Sequence, residues 1–389
     1  MKHNHRAHRR RRRGRHSKPQ QRGTAFISAA LILLVGVIAV LGVSLALPGP
    51  GKGQGAEVLV EVAEGSTLSE IAPELENKGI VDSASEFLTA ASLNIKSHEV
   101  YPGFYRLREG MGAEAAVDVL TNPDNKIDML NVNPGMTLMD LHLTNGDVRF
   151  GIYTQISQVA CSVTGNDGCV TAADLERVAA TVDPAELGAP EWALEPIRAR
   201  GDDPKRLEGL ISPGQYVVNP GMSAQEILTD LLTRSTKVYN DTGIVDRAKA
   251  INLTPYELLT AASIVEREAP AGEFDKVARV ILNRLELPMR LQMDSTVNYD
   301  LETVETATTD ADRERVTPWN TYASDGLPQT PIASPSEEAI RAMENPAEGD
   351  WLYFVTVDKD GTTIFNSSLE AHNEAQQQAF DSGVLDSNR

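Results

Sequence analysis

Cysteine is almost absent: two residues in 389, Cys161 and Cys169. That excludes a small disulfide-scaffold protein, and 29 glycines without a period exclude a collagen-like chain. Histidine is scarce too, and beyond the first 16 residues only His98, His142 and His372 remain. They are too scattered for a metal site, and no HExxH, GxSxG or Walker loop occurs, so no metal or cofactor is expected. Basic residues thin out after position 24. Residues 1–24 hold 10 of the 36 Lys and Arg and no acid. The rest of the chain sets 26 bases against all 55 acids, a net −29 that repels phosphates and argues against a nucleic-acid ligand. What the chain does have is one long stretch without any charge, Ala25 to Leu47, and the length of a multi-domain protein.

AFISAALILLVGVIAVLGVSLAL, residues 25–47, is long enough to span a bilayer. A cleaved signal peptide is the alternative, since Ser44–Ala46 resembles a cleavage site, but its apolar core should be only about 7–15 residues long. The arginine run Arg9–Arg13 precedes it, and positive flanks stay cytoplasmic. The expectation is a single-pass plasma-membrane anchor contacting the lipid bilayer. The tail at 1–24 lies inside, and everything after 47 lies outside. Binding of anionic lipid or nucleic acid by the basic run is the rival use of those arginines. Outside the membrane a Cys161–Cys169 disulfide is permitted and closes the short loop CSVTGNDGC, with free thiols as the alternative.

After a tether at 48–56 that opens with PGPGKGQG, an α+β outer region is expected. Val58, Val60 and Val62 alternate as in a strand, Gly65 turns, and Leu68, Ile71, Ala72 and Leu75 have helical spacing. The same phrase echoes from Gly110, Gly135 and Gly221. Residues 57–130 read as a small α+β unit similar to a LysM glycan-binding module, or as a packing domain without ligand. Residues 131–249 read as a second α+β region carrying an acidic, Ala-rich, helical insertion over 146–206. Residues 250–389 read as the catalytic region.

In that last region Thr254-Pro255-Tyr256-Glu257 is a helix start with a capping box. A second helix shows an apolar face from Phe274 to Leu285 and ends at Pro288, and a third starts at Ser336-Glu337. WLYFVTVD and TTIFNSS read as a hairpin turned at Lys359-Asp360-Gly361, followed by a helix carrying His372. On the first helix, Glu266 leans toward the buried stripe of Leu258, Ala262, Val265 and Ala269, while Glu268 lies on the opposite margin. Contact with apolar neighbours raises a carboxyl pKa, as a general acid requires. A solvated Glu266 paired with arginine is the bland alternative. Gln292, Asp294, Ser295, Thr296 and Asn298 form a polar cluster, and WNTYASDGLPQTPIASP is a stiff loop expected to expose Trp319, Asn320 and Tyr322. Half of the 20 aromatics fall from Tyr256 onward, and aromatic faces beside amides and hydroxyls suit sugar rings.

LLTAASIVEREAP, NRLELPMRLQMDSTVNYDL, WNTYASDGLPQTPIASP and LYFVTVDKDGTTIFNSSLEAHN, in that order, resemble the successive motifs of the endolytic murein transglycosylase (YceG-like) family. The resemblance runs from about Val58 to about Gln378, apart from portions of 146–206. It implies a membrane-anchored enzyme that cuts the MurNAc–GlcNAc β-1,4 bond of nascent peptidoglycan and leaves 1,6-anhydro ends. It also implies work beside peptidoglycan synthases. The essential glutamate of the ASIVE phrase carries over to Glu266, with Gln292, Asp294, Asn320 and Tyr322 lining the cleft and Glu268 as a second carboxyl or, alternatively, a structural residue where the helix passes into the loop. Two phrases depart from the family pattern: LEGLISPGQY lacks an Asp-Thr pair, with Gly214 and Gln215 in its place, and GLPQTPI replaces GLPPGPI. The competing function is a non-catalytic glycan-binding scaffold of the cell-wall machinery, and a hydrolase on the same fold is a further rival.

Overall fold

The computed structural model describes residues 55–384, apart from 64, 95–99, 165–168, 219–220 and 305–307. The basic tail, the expected membrane segment at 25–47 and nearly all of the 48–56 tether lie outside the described residues. The chain divides into two compact units, the first ending at Lys126 and the second starting at Ile127.

In the first unit, β1 (Glu57–Val62) pairs antiparallel with β2 (Gly103–Arg108), with Val60 opposite Tyr105 and Val58 opposite Leu107. Alternation sends Val60 and Val62 inward, and outward-facing Glu57 meets Arg108 at 2.5 Å. Helices α1 (Leu68–Asn77) and α2 (Ala84–Leu93) lie between the strands in sequence, and α3 (Ala113–Leu120) follows them. The expected stripe of Leu68, Ile71, Ala72 and Leu75 is buried, in one core with Phe87, Tyr105, Leu107 and Leu120. β3 (Lys126–Ile127) marks the border between the units.

The second unit holds several small sheets around a helical core. β4 (Leu130–Val132), β5 (Leu141–Leu143) and β6 (Val148–Arg149) precede three helices of the 146–206 stretch, α4 (Ile152–Thr164), α5 (Ala172–Thr181) and α6 (Leu194–Ala199). These are packed into the main core through Ile152, Ile156, Leu175 and Ile197. Cys161 and Cys169 are joined as a disulfide, with Cα atoms 5.2 Å apart. β7 (Gly214–Tyr216) pairs antiparallel with β4. The echo from Gly221 forms α7 (Ala224–Asp241), capped by Ser223, and α8 (Ile244–Ala250) follows. The echo from Gly135 does not form a helix. The Leu138 N–H there donates to the Glu208 carboxylate at 3.1 Å and the Thr137 hydroxyl to the Met139 carbonyl at 2.7 Å, so the backbone takes partners that hold it in a turn.

At the centre stands α9 (Pro255–Glu268), buried on nearly every side from Tyr256 to Val265. Thr254 and Glu257 close the expected capping box, and Pro255 sits where no N–H is needed. α10 (Phe274–Glu286) packs against it, followed by the short α11 (Asp294–Asn298), β8 (Thr303–Val304) beside β5, and α12 (Asp310–Glu314). α13 (Glu337–Glu344), capped by Ser336, closes the far side of α9. The hairpin of β9 (Tyr353–Thr356) and β10 (Thr363–Asn366) carries α14 (Leu369–Ser382) against it. Residues from both 131–249 and 250–389 contribute to this one core.

Candidate active site

Where α9 runs out, its last two glutamates part. Residues two positions apart on a helix point about 200° from each other, so Glu266 and Glu268 face opposite ways. The Glu266 carboxylate turns toward α13 and accepts the Ser336 N–H at 2.9 Å and the Ser336 hydroxyl at 2.5 Å. Next to it the Arg267 guanidinium donates to the Gly135 carbonyl at 3.2 Å. Gly135 has φ +76, and a Cβ placed there would come within 3.9 Å of the Glu266 side chain. These bonds tie the start of α13 and the 133–139 turn to the end of α9.

Glu268 turns the other way, into a cleft of about 420 Å³ between α11 and the β9–β10–α14 corner. Its carboxylate accepts the Ser295 N–H at 2.9 Å. Burial pushes its pKa up, and the nearby Asp294 charge adds to the rise, against the Ser295 hydrogen bonds and the Arg267 charge. A carboxyl so placed keeps its proton toward higher pH than an ordinary glutamate.

Asp294 lines the same cleft with a different set of partners. Its Oδ1 accepts the Tyr322 hydroxyl at 2.7 Å and the Thr308 hydroxyl at 2.8 Å, and Arg313 spans both oxygens at 3.1 Å. Arg313 also lies over the Tyr322 ring, 4.8 Å from its centroid. Burial raises the Tyr322 pKa, with the Asp294 hydrogen bond adding to it, so the phenol stays protonated and donates. Gln292 reaches the cleft from a left-handed backbone, φ +52, pinned by its N–H to the Thr321 carbonyl at 3.2 Å. A non-glycine residue in that region is strained, and such strain concentrates at functional sites.

The cleft therefore brings together Glu268, Gln292, Asp294 and Tyr322. It does not include Glu266 or Asn320. Asn320 is 1% exposed: its side-chain amide donates to the carbonyls of Asp312, Arg313 and Arg315, and its carbonyl accepts the Tyr322 N–H. All its hydrogen-bonding capacity goes to shaping the loop, so the expectation of an exposed, substrate-contacting Asn320 is corrected. Trp319 is buried as well, edge-on to Tyr299 with its N–H donated to Thr330. The polar look of this loop came from groups that satisfy each other internally. Sequence reasoning missed the arginines Arg284 and Arg313. Their signal lies only in long-range partners.

Glu208, in the LEG phrase, is a further buried carboxyl outside this cleft. Burial pushes its pKa up to about 7, against hydrogen bonds from Tyr299 and from backbone N–H groups.

Residues 60–378 match the YceG-like family. The chain belongs to that family. Among its relatives is the endolytic murein transglycosylase of Bacillus subtilis (strain 168), 27% identical over 356 residues, or 90% of this chain and 92% of that one. The protein of the same name from Streptococcus pneumoniae serotype 2 is 26% identical over 81% of this chain, which spans 57% of that longer protein. The crystal structure of a YceG-like protein from Listeria monocytogenes superposes with a TM-score of 0.50 at 26% identity, covering 82% of this chain and 99% of that chain. Like the family match, these similarities take in both units of the chain.

Proposed function

We propose that this chain is a lytic endotransglycosylase of peptidoglycan, anchored in the plasma membrane by residues 25–47 with residues 48–389 outside. It cuts the MurNAc–GlcNAc β-1,4 bond within nascent strands and leaves a 1,6-anhydro end. One observation carries the chemistry: Glu268, with a raised pKa, lies in a polar cleft whose other carboxylate is fully engaged. Two relatives bearing the transglycosylase name supply the substrate.

Glu268, not Glu266, is the general acid in this reading. Both Glu266 contacts from Ser336 serve the α13 cap, and Glu266 does not line the cleft, which supports this reading. The Glu268 proton passes to the glycosidic oxygen as the muramyl C1–O bond breaks. The muramyl 6-hydroxyl oxygen then bonds to C1, and its proton returns to the Glu268 carboxylate. No water is consumed. The Asp294 carboxylate is paired with Arg313, and negative charge there favours the positive character developing at C1.

A hydrolase with two carboxylates is the reading to weigh against this one, because Asp294 shares the cleft. Its oxygens are taken by Tyr322, Thr308 and Arg313, which leaves it poorly placed to activate water. In the first unit, the strand–helix–helix–strand order supports the LysM-like, glycan-binding reading. Work beside peptidoglycan synthases remains part of this proposal.

The experiment is a mass measurement. Full-length protein in nanodiscs is incubated with uncrosslinked glycan and the new ends are weighed. Anhydro ends are expected. Ends heavier by one water establish the hydrolase, and intact strands with bound protein establish the scaffold.

A further inference from the structure

A three-layer stack forms the wall of the cleft opposite α11. At its base the buried Arg284 guanidinium is fixed by backbone carbonyls, donating from Nε to Leu352 at 2.7 Å and from Nη1 to Leu291. It lies 5.2 Å from the centroid of the Tyr353 ring. Tyr353 in turn stacks on the imidazole of His372, with centroids 5.0 Å apart and planes at 21°. The imidazole thus sits at the top of a column whose lowest member is bonded to two separate segments.

The two ring nitrogens have different surroundings. Nδ1 is sealed from solvent and has no hydrogen-bond partner. Nε2 makes no bond within the protein among the described residues, yet it is not sealed, and His372 lines the cleft. Nε2 is therefore the nitrogen that opens to the cleft. Burying an N–H without an acceptor forfeits its whole hydration, so the neutral ring places its proton on the nitrogen that reaches water or ligand. Burial and the Arg284 charge also hold the imidazole pKa below its ordinary value. The other charged groups facing the cleft are Glu268, Asp294 and Arg313, and Arg313 spends its charge on Asp294.

We propose that His372 is a specificity residue that offers a fixed Nε2–H to an amide carbonyl oxygen of the glycan, on the face of the cleft across from Glu268. The identity of the ligand rests on the transglycosylase reading above; the ring's tautomer does not. A neutral N–H donor suits a neutral acceptor. Peptidoglycan carries amide carbonyls in two places, the 2-acetamido groups of its sugars and the peptide stems. A site built to donate to such an oxygen discriminates against substrates that lack it, because the donor, once covered by the bound strand, is then left unpaired.

The test has two arms, both on full-length protein. In the first, histidines are labelled with ¹⁵N and the His372 signals are assigned by their loss in His372→Phe. A neutral ring protonated on Nε2 at pH 7 is expected. A ring protonated on Nδ1, or an imidazolium at that pH, overturns the proposal. In the second, wild type, His372→Phe and His372→Asn are compared on intact glycan, N-deacetylated glycan and glycan stripped of stem peptides. Phenylalanine keeps the stack and loses the donor, whereas asparagine keeps a donor. His372→Phe is expected to lose roughly tenfold or more in kcat/KM on intact glycan. His372→Asn recovers part of that loss. The penalty disappears on whichever substrate lacks the carbonyl that His372 reads. An equal penalty on all three substrates, or none on intact glycan, overturns the proposal. If wild type cuts no glycan, the transglycosylase reading has failed and with it the assigned ligand, while the nitrogen spectra still decide the tautomer.

Discussion

Glu266 and Glu268 leave the same turn of α9 and serve different ends: Glu266 receives both donors of Ser336 at the start of α13, and Glu268 receives the Ser295 N–H at the start of α11. One carboxylate fastens two elements of the core. The other is presented to the cleft with burial already raising its pKa. The order of the two along the chain says nothing about this division. The angle between them and the neighbours each one finds decide it.

Replacing Glu266 should therefore cost stability more than catalysis. Glu266→Ala leaves the Ser336 N–H without its acceptor in a partly buried place, which costs about 1–3 kcal/mol. Urea unfolding monitored by tryptophan fluorescence reads that loss. Folded Glu266→Gln, which keeps an acceptor oxygen, is expected to retain most of its glycan cleavage. Inactivation of Glu266→Gln at undiminished stability would put the acid at Glu266 after all.

The pH profile should carry the mark of Glu268. A general acid works while protonated, so kcat/KM is expected to fall on the alkaline side at a pH above the ordinary glutamate range. Burial is the main cause of the rise and the Asp294 charge a further one. Removing that charge in Asp294→Asn lowers the Glu268 pKa and moves the alkaline limb to lower pH. A limb that stays in place or moves upward contradicts the coupling.

Asn320 offers a contrast between shape and contact. Asn320→Ala strands three loop carbonyls and the Tyr322 N–H, so a stability loss of about 1–3 kcal/mol is expected. Below the transition, glycan binding by calorimetry should then weaken only as far as the Tyr322 side of the cleft loosens. Selective loss of glycan affinity with unchanged unfolding would restore Asn320 as a substrate contact.

Glu208 should govern part of the acid–base dependence of stability. Its folded pKa of about 7 lies above the unfolded value of 4.5, chiefly through burial. The folded state therefore holds the proton more tightly. The contribution is fully present below pH 4.5 and is lost as pH rises through about 7. Glu208→Gln removes that decline, so its unfolding free energy between those limits is expected to vary less with pH than that of wild type. Parallel curves for the two proteins would show that Glu208 does not titrate there.

Much of this architecture was legible because its signals are local. The capping box at Thr254 and Glu257, the apolar stripe of α1 and the hairpin turn at Lys359-Asp360-Gly361 each depend on neighbours within a few residues. The cleft was legible as a set of segments but not as a set of side chains. Asn320 and Trp319 read as exposed because amide and indole groups are polar, yet their partners at Arg315 and Thr330 complete them inside. Glu266 stands out through its apolar neighbours on α9, whereas the decisive partners, Ser336 for Glu266 and Ser295 for Glu268, are 70 and 27 residues away. The helix expected after Gly135 failed for the same reason, since a buried carboxylate 70 residues on competes for its backbone.

The central claim is that Glu268 performs the chemistry, and one comparison tests it most directly. Wild type, Glu268→Gln and Glu266→Gln, each full length in nanodiscs, are incubated with uncrosslinked nascent glycan, and anhydro ends are counted by mass spectrometry. The account predicts internal cuts by wild type and by Glu266→Gln, and a loss of about 10²–10⁴-fold for Glu268→Gln. Cutting by Glu268→Gln at the wild-type rate would contradict it.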